Sequence, residues 1–396
     1  MTATETRAGE RRRTYSGLAV FANGFRPFFL FGAFYAGCAL PVWLAMLLGG
    51  FELPGVITGV DWHIHEMIFG YLAAVIAGFI LTAIPNWTGR LPVMGVPLAL
   101  IFLVWVAGRI SVATVPSANA AMVIDCAFLI LFAGLIWREV LAGRNWRNAP
   151  VCALVTLFAL ANILFHLGLR FEEFAGYGPR LALGATGVLI GLIGGRVTPS
   201  FTRNWMAKLN LDPFPEPFGR FDQATLLCAL GAMAAWVLAP DSPVTGLALL
   251  VAGALHFARL LRWRGGKTLG EPIVVILHVG YGWLAIAFLA MGAAILAPSL
   301  IDPSVALHAL TAGAIGTMTL AIMTRASLGH TGHTIKATPV TVAIYALVSA
   351  GALLRVSATM WPVSYDTAMA LGGSVWALAF LLFSLAYAPI LLRRRA

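Results

Sequence analysis

Apolar runs of about twenty residues, broken by short polar clusters, recur along the whole chain. A helix needs roughly 20 such residues to cross the hydrocarbon core of a bilayer, so each run predicts a span. The pattern gives twelve, at residues 17–48, 63–84, 92–114, 119–141, 150–169, 178–196, 223–239, 243–262, 272–297, 304–324, 338–360 and 367–391. Gly, Pro and Asn punctuate the gaps, at Pro54-Gly55, Pro116, Pro150, Pro199, Asp212-Pro213, Pro240, Pro298 and Trp361-Pro362. The predicted fold is all-α and integral to a membrane. It is a single bundle of about twelve transmembrane helices over residues 17–396, behind a polar tail of residues 1–16.

Composition agrees with the pattern: 60% of the 396 residues are hydrophobic and 11% charged. Soluble domains carry about a quarter charged residues, and a globular fold of this length could not hide so much apolar surface. The net charge of +10 would suggest nucleic acid as a partner in a soluble protein. Here the positive-inside bias explains it, and the lipid bilayer is the expected partner. With the N-terminus inside, the inner side receives Arg90, Arg138, Arg144 and Arg147, then Arg196, Arg203, Lys208 and Arg220. It also receives Arg259, Arg262, Arg264, Lys267, Arg325, Lys336 and Arg393 to Arg395. The opposite loops hold Glu52, Asp61, Asp241, Asp302 and Asp366, with Arg170 and Arg180 as exceptions. An odd number of spans would scramble this alternation, so both termini are expected on the cytoplasmic side. The tail (Arg7, Arg11, Arg12, Arg13) precedes a long apolar segment without a small-residue cleavage site, which reads as an uncleaved first helix. Cys38, Cys126, Cys152 and Cys228 are widely spaced within apolar stretches and read as ordinary core residues.

The chemistry lies in eight histidines, because ionisable groups inside a membrane usually face the bundle interior and mark function. The topology sorts them by depth. His63, His65 and His308, with His166 nearby in depth, form an outer group; His278, His330 and His333, with His256, form an inner one. His308 and His330 are 22 residues apart along one predicted helix, roughly 33 Å at 1.5 Å per residue, so they cannot share one ion. The densest segment is Asp61-Trp62-His63-Ile64-His65-Glu66-Met67. Asp61 reads as an N-cap. His63 shares a helix face with Met67, and Glu66 is placed to orient an imidazole as a hydrogen-bond acceptor. Imidazole suits copper, iron and zinc and serves as an axial haem ligand. The bland alternative is a hydrogen-bonded structural histidine, the preferred reading for His166 and His256. His330 and His333 are either ligands or part of a solvated loop. Arg109 and Asp125, similarly deep in the helix 3–4 hairpin, are expected to pair. Arg355 needs a partner, with Glu66 or a haem propionate as choices. Arg26 either anchors helix 1 or binds an anion, and Arg325 is a further cofactor contact on the inner side. Trp62 and Trp361 read as interface anchors. The glycines of helix 6 (Gly184, Gly187, Gly191, Gly194, Gly195) allow close packing first, and would also admit a flat macrocycle.

Taken together, several stretches resemble one family. These are Asn23-Gly24-Phe25-Arg26-Pro27-Phe28-Phe29, the 61–67 segment, residues 194–204, Leu307-His308-Ala309-Leu310, and Met323 through Gly332. In combination they are similar to the NnrS family. The resemblance implies a bacterial inner-membrane protein with twelve spans, associated with haem and copper and with tolerance of nitric oxide and nitrosative stress during denitrification. It implies that His63, His65, His308 and His330, with His278 as a further member, are metal or haem positions.

The function expected on this basis is a haem b- and copper-containing membrane protein that binds nitric oxide or turns it over. The chain carries no flavin or nicotinamide fingerprint, so a quinol or a small donor would supply electrons. Two rivals stand beside this reading. One is a secondary transporter of a metal ion or metal complex, for which broken helices and midplane charges are common; the histidines, however, lie near the two surfaces. The other is a sensor or assembly factor that binds haem without catalysis.

Overall fold

The computed structural model describes residues 15–394. The tail arginines at 7 and 11–13, most of the predicted 1–16 tail, and Arg395 lie outside that range. Among the described residues there is no strand, and twelve helices are long and apolar enough to cross a membrane. They are α1 (Phe25–Gly49), α2 (Gly59–Thr88), α3 (Val96–Thr114), α4 (Ala118–Ala142), α5 (Ala149–Gly168) and α6 (Tyr177–Lys208). The chain continues with α7 (Arg220–Leu238), α8 (Pro243–Leu261), α9 (Pro272–Leu296), α10 (Pro303–His330), α11 (Pro339–Val356) and α12 (Tyr365–Leu392). The chain is therefore a multi-pass membrane protein.

Boundaries differ from the sequence pattern where proline misleads. The pattern ends the sixth span at 196, before Pro199, yet α6 runs to Lys208 with that proline inside it. Pro41, Pro85 and Pro389 also lie within spans. Membrane helices tolerate such residues because neighbouring groups satisfy the freed backbone. At the other limit, α1 starts only at Phe25, after a short 3-10 turn at Ala19–Phe21. Helix α2 starts at Gly59 behind Thr58, so Asp61 sits in the first turn rather than capping it.

Two spans change pitch at a histidine. In α2 the α-helix Gly59–His65 gives way to a π-helical segment, Glu66–Leu72, before regular helix resumes at Ala73. In α10 the helix Pro303–His308 is followed by a π segment at Ala309–Ile315. Wide turns of this kind are rare and frequently occur at functional sites.

Two compact units emerge from the packing. The first comprises the chain up to Ala182, with Ser327–His333 and the residues from Ser384 onward. Within it α1 packs on α2, α2 on α4, and α4 on α3 and α5. Its core is aromatic: Phe25, Phe28, Phe29, Phe128, Phe132 and Phe158 are buried. The second comprises Leu183–Ala326 and Thr334–Phe383. There α8 packs on α7 and α9, α9 on α10, and α10 on α11, around Trp263, Tyr281, Phe288 and Phe380. Large aliphatic side chains are exposed on both, among them Leu103, Val123, Leu131, Leu247, Val251 and Leu385. That surface suits hydrocarbon as solvent.

Candidate metal centre

The last residue of regular helix before the π segment of α2 is His65, and its side chain is fully buried. Its Nδ1 lies 2.7 Å from Glu66 Oε1, and its Nε2 lies 3.1 Å from Asp125 Oδ2 of α4. From α5, His166 places Nε2 3.0 Å from the same Asp125 oxygen. Asn162, one turn earlier on α5, donates to Asp125 Oδ2 at 2.8 Å, and its Oδ1 lies 3.2 Å from His65 Nε2. Arg109 of α3 reaches into the same cluster. Its Nη1 donates to both Glu66 oxygens at 2.6 Å, and its Nη2 donates to Asp125 Oδ1. Tyr35 of α1 donates to Glu66 Oε2. Five helices of one unit thus converge on one polar cluster within an apolar core.

The backbone is shaped around that cluster. A Cβ on Gly70, inside the π segment, would lie 2.7 Å from Glu66 Oε2, 2.9 Å from the Tyr35 ring and 3.0 Å from Arg109 Nη1. A side chain there would displace the carboxylate or its partners, so the position requires glycine. Trp105 of α3 donates its indole N–H to the Gly70 carbonyl at 2.9 Å, which satisfies a polar group near the altered turn.

Charge decides what such a cluster can hold. Glu66 and Asp125 bring two negative charges, and Arg109 one positive charge, all buried. An uncompensated charge in a low-dielectric interior is costly. The missing positive charge is supplied either by a proton on the imidazole that bridges the two carboxylates or by a bound cation. The donor atoms of His65, Asp125 and His166 lie within 4.8 Å of one another. An ion with ligands at about 2.1 Å sets neighbouring donors roughly 3.0–3.4 Å apart, and the two separations at Asp125 Oδ2 are 3.1 and 3.0 Å. Two imidazoles and one carboxylate form a set that suits iron, copper or zinc. Glu66 is then the hydrogen-bond partner that fixes the tautomer of His65.

The structure distributes the other sequence candidates elsewhere. His63 does not join His65: it stacks on Trp43 of α1, ring centroids 4.0 Å apart. Met67 is half-buried in the π segment. The expected Arg109–Asp125 pair forms, and Glu66 is claimed by Arg109, His65 and Tyr35, so it is not the partner of Arg355. Arg26 anchors α1: its Nη1 donates to the carbonyls of Leu391 and Arg393 at 2.9 Å and of Ile390 at 3.3 Å. His330 ends α10 with its ring 5.8 Å from that of Phe25. The exposed His333 places Nδ1 2.7 Å from Thr331 Oγ1. Trp62 is buried, whereas Trp361 is exposed and bonds Ser357.

In the second unit His308 precedes the π segment of α10. Its Nδ1 lies 2.6 Å from the Ser304 carbonyl, hence carries the proton, and its Nε2 has no partner among the described residues. Arg355 of α11 donates from Nη2 to Ser304 Oγ at 3.0 Å, while its buried Nη1 has no partner there. His278 is less available. The Thr202 hydroxyl donates to the Thr198 carbonyl, so at 2.8 Å it accepts from His278 Nε2, and Gly265 packs on the Nδ1 edge. Arg325 lies over the Phe201 ring, 3.3 Å from its centroid. Glycines 187, 191, 194 and 195 of α6 receive Phe288, His256, Tyr281 and Arg259 respectively. They are packing positions.

Sequence reasoning passed over Asp125 and Asn162 as ligating or supporting residues, and preferred a structural role for His166 although it set that residue beside the outer group. A signal was present. Asn162 and His166 are four residues apart on one predicted helix, and Asp125 is a carboxylate in mid-span. Only tertiary packing shows that all three face His65. The chain matches the family described as NnrS protein over residues 19–395. None of the curated proteins matches it.

Proposed function

The chain belongs to the NnrS family, a membrane protein of the nitric oxide response, and on that premise we propose that it binds or turns over nitric oxide at buried redox metal. The observation that carries this reading is the His65–Asp125–His166 cluster with its excess negative charge. These three residues would hold copper or a non-haem iron, with Glu66 and Asn162 orienting the first imidazole and the shared carboxylate. A haem b would be held at His308. Its Nδ1 is fixed by a backbone carbonyl and its Nε2 is left as a ligand, the arrangement typical of metal-bound imidazole. The unpaired Nη1 of Arg355 is a donor suited to a propionate. When bound, such metals supply electrons to a diatomic gas and a coordination site for it.

The chain's own contribution is positioning and proton handling. Nitric oxide partitions into lipid, so the apolar shell around the cluster admits it without a polar channel. Tyr35, Glu66 and the Nδ1 edge of His65 form one hydrogen-bonded chain that a metal on the Nε2 side leaves intact. It can hold and relay a proton beside the metal position at His65 Nε2. Electrons would come from a quinol or a small donor. The setting is the bacterial inner membrane, with both termini on the cytoplasmic side.

The test is metal analysis and an absorption spectrum of the purified protein, followed by nitric oxide consumption with a reductant. The reading expects a non-haem ion that His166→Ala removes and a Soret band that His308→Ala bleaches or shifts. A colourless protein free of iron and copper, indifferent to nitric oxide, would overturn it.

A further inference from the structure

One open groove lies on the first unit, between the start of α3 and the second half of α4, with a volume of about 1010 Å³. Its walls are apolar: Pro97, Leu100, Ile130 and Leu131 line it. Gly134 of α4 keeps it open, since a Cβ there would meet nothing within 4 Å. One end of the groove is charged. Glu139, with its side chain 4% exposed, accepts from Arg90 Nε at one oxygen. At the other oxygen it accepts from Arg138 Nε and Nη2, at 3.0 and 2.7 Å. A single buried carboxylate thus fixes two guanidiniums. The Arg90 and Arg138 side chains are 43% and 65% exposed, and both Nη groups of Arg90 and Nη1 of Arg138 have no partner among the described residues.

We propose that this groove binds an acidic phospholipid, with an acyl chain along Leu100, Ile130 and Leu131 and the phosphate on Arg90 and Arg138. The argument is charge complementarity joined to shape. Two guanidiniums against one carboxylate leave a net positive charge at the polar end, and Arg144 and Arg147 follow on the turn after α4. Guanidinium forks suit phosphate oxygens, and basic pockets beside membrane helices take acidic head groups. A neutral quinol would use the apolar wall and leave the fork unused. Glu139 acts as a positioning residue that holds the two forks in place.

The test uses the full chain in nanodiscs of equal phosphatidylglycerol and phosphatidylcholine, with retained lipid read by native mass spectrometry. The wild type should retain phosphatidylglycerol over phosphatidylcholine by about fivefold, the effect of one net charge at a membrane surface. Arg90→Gln with Arg138→Gln should bring the ratio near unity, and Gly134→Leu should strip lipid of both classes. An unchanged ratio in the double variant, or retention of a quinone in place of phospholipid, would overturn the proposal. Should the double variant fail to fold, Gly134→Leu decides: loss of bound phosphatidylglycerol supports the groove, and full retention refutes it.

Discussion

Each unit buries an Arg–carboxylate pair beside histidine, and the two pairs are balanced in opposite directions. In the first, Arg109 faces two carboxylates, Glu66 and Asp125, and two imidazoles close the ring. Two carboxylates stand against one guanidinium, so negative charge is in excess. In the second, Arg259 donates to the one carboxylate of Asp222 at 2.7 Å, to the Gly191 carbonyl at 2.9 Å and to Tyr281 at 2.8 Å. Tyr281 accepts from the arginine and so has its own hydroxyl proton to give to His256 Nδ1, 2.7 Å away. His256 Nε2 therefore carries hydrogen, and it and Arg259 Nη2 are buried without partners. Donors are in excess. The same residue types thus leave carboxylate charge in excess in one unit and hydrogen-bond donors in excess in the other. Counting charges and protons separates the two where residue identity does not.

The comparison breaks most sharply at the two aspartates. Asp125→Asn should cut metal affinity by more than about 100-fold, beyond what changes outside the ligand set produce, as measured by competition with a chelator. Asp222→Asn strands a buried guanidinium and should cost about 3–5 kcal/mol of stability. The metal content of the folded fraction should stay at the wild-type level, read from unfolding curves beside metal analysis. Equal metal loss in both variants would erase the distinction. Glu66→Gln sharpens it further: the ligands remain but the imidazole loses its ionised partner, so affinity should fall about 10- to 100-fold. The smallest expected effect is steric. Gly70→Ala places a Cβ 2.7 Å from Glu66 Oε2 and should cost about 1–3 kcal/mol, as overpacking does. Gly231→Ala in the second unit meets nothing within 4 Å and should be neutral or mildly stabilising in a thermal melt.

The spans were legible because a bilayer imposes one length and one polarity on every helix. Proline at 199 misled the boundary because its cost in water does not carry over to a packed membrane helix. His65 and Glu66 were legible as a dense local motif. Asp125 was legible as the partner of Arg109 and His166 as a neighbour in depth, but their meeting with His65 was not, because it arises only from the packing of α2, α4 and α5. His63, two residues from His65, illustrates the converse. Sequence proximity grouped the two, and helix rotation set one into the cluster and the other onto Trp43. The π segments had no periodic signature, although both begin just after a histidine.

The most direct measurement is metal analysis by plasma mass spectrometry of protein purified from cells supplied with iron and copper, wild type beside His166→Ala, both checked for folding. The account predicts about one non-haem ion per wild-type chain and its loss from the variant. Equal trace metal in the two would contradict it, leaving the cluster as a proton-balanced brace like the one around Arg259.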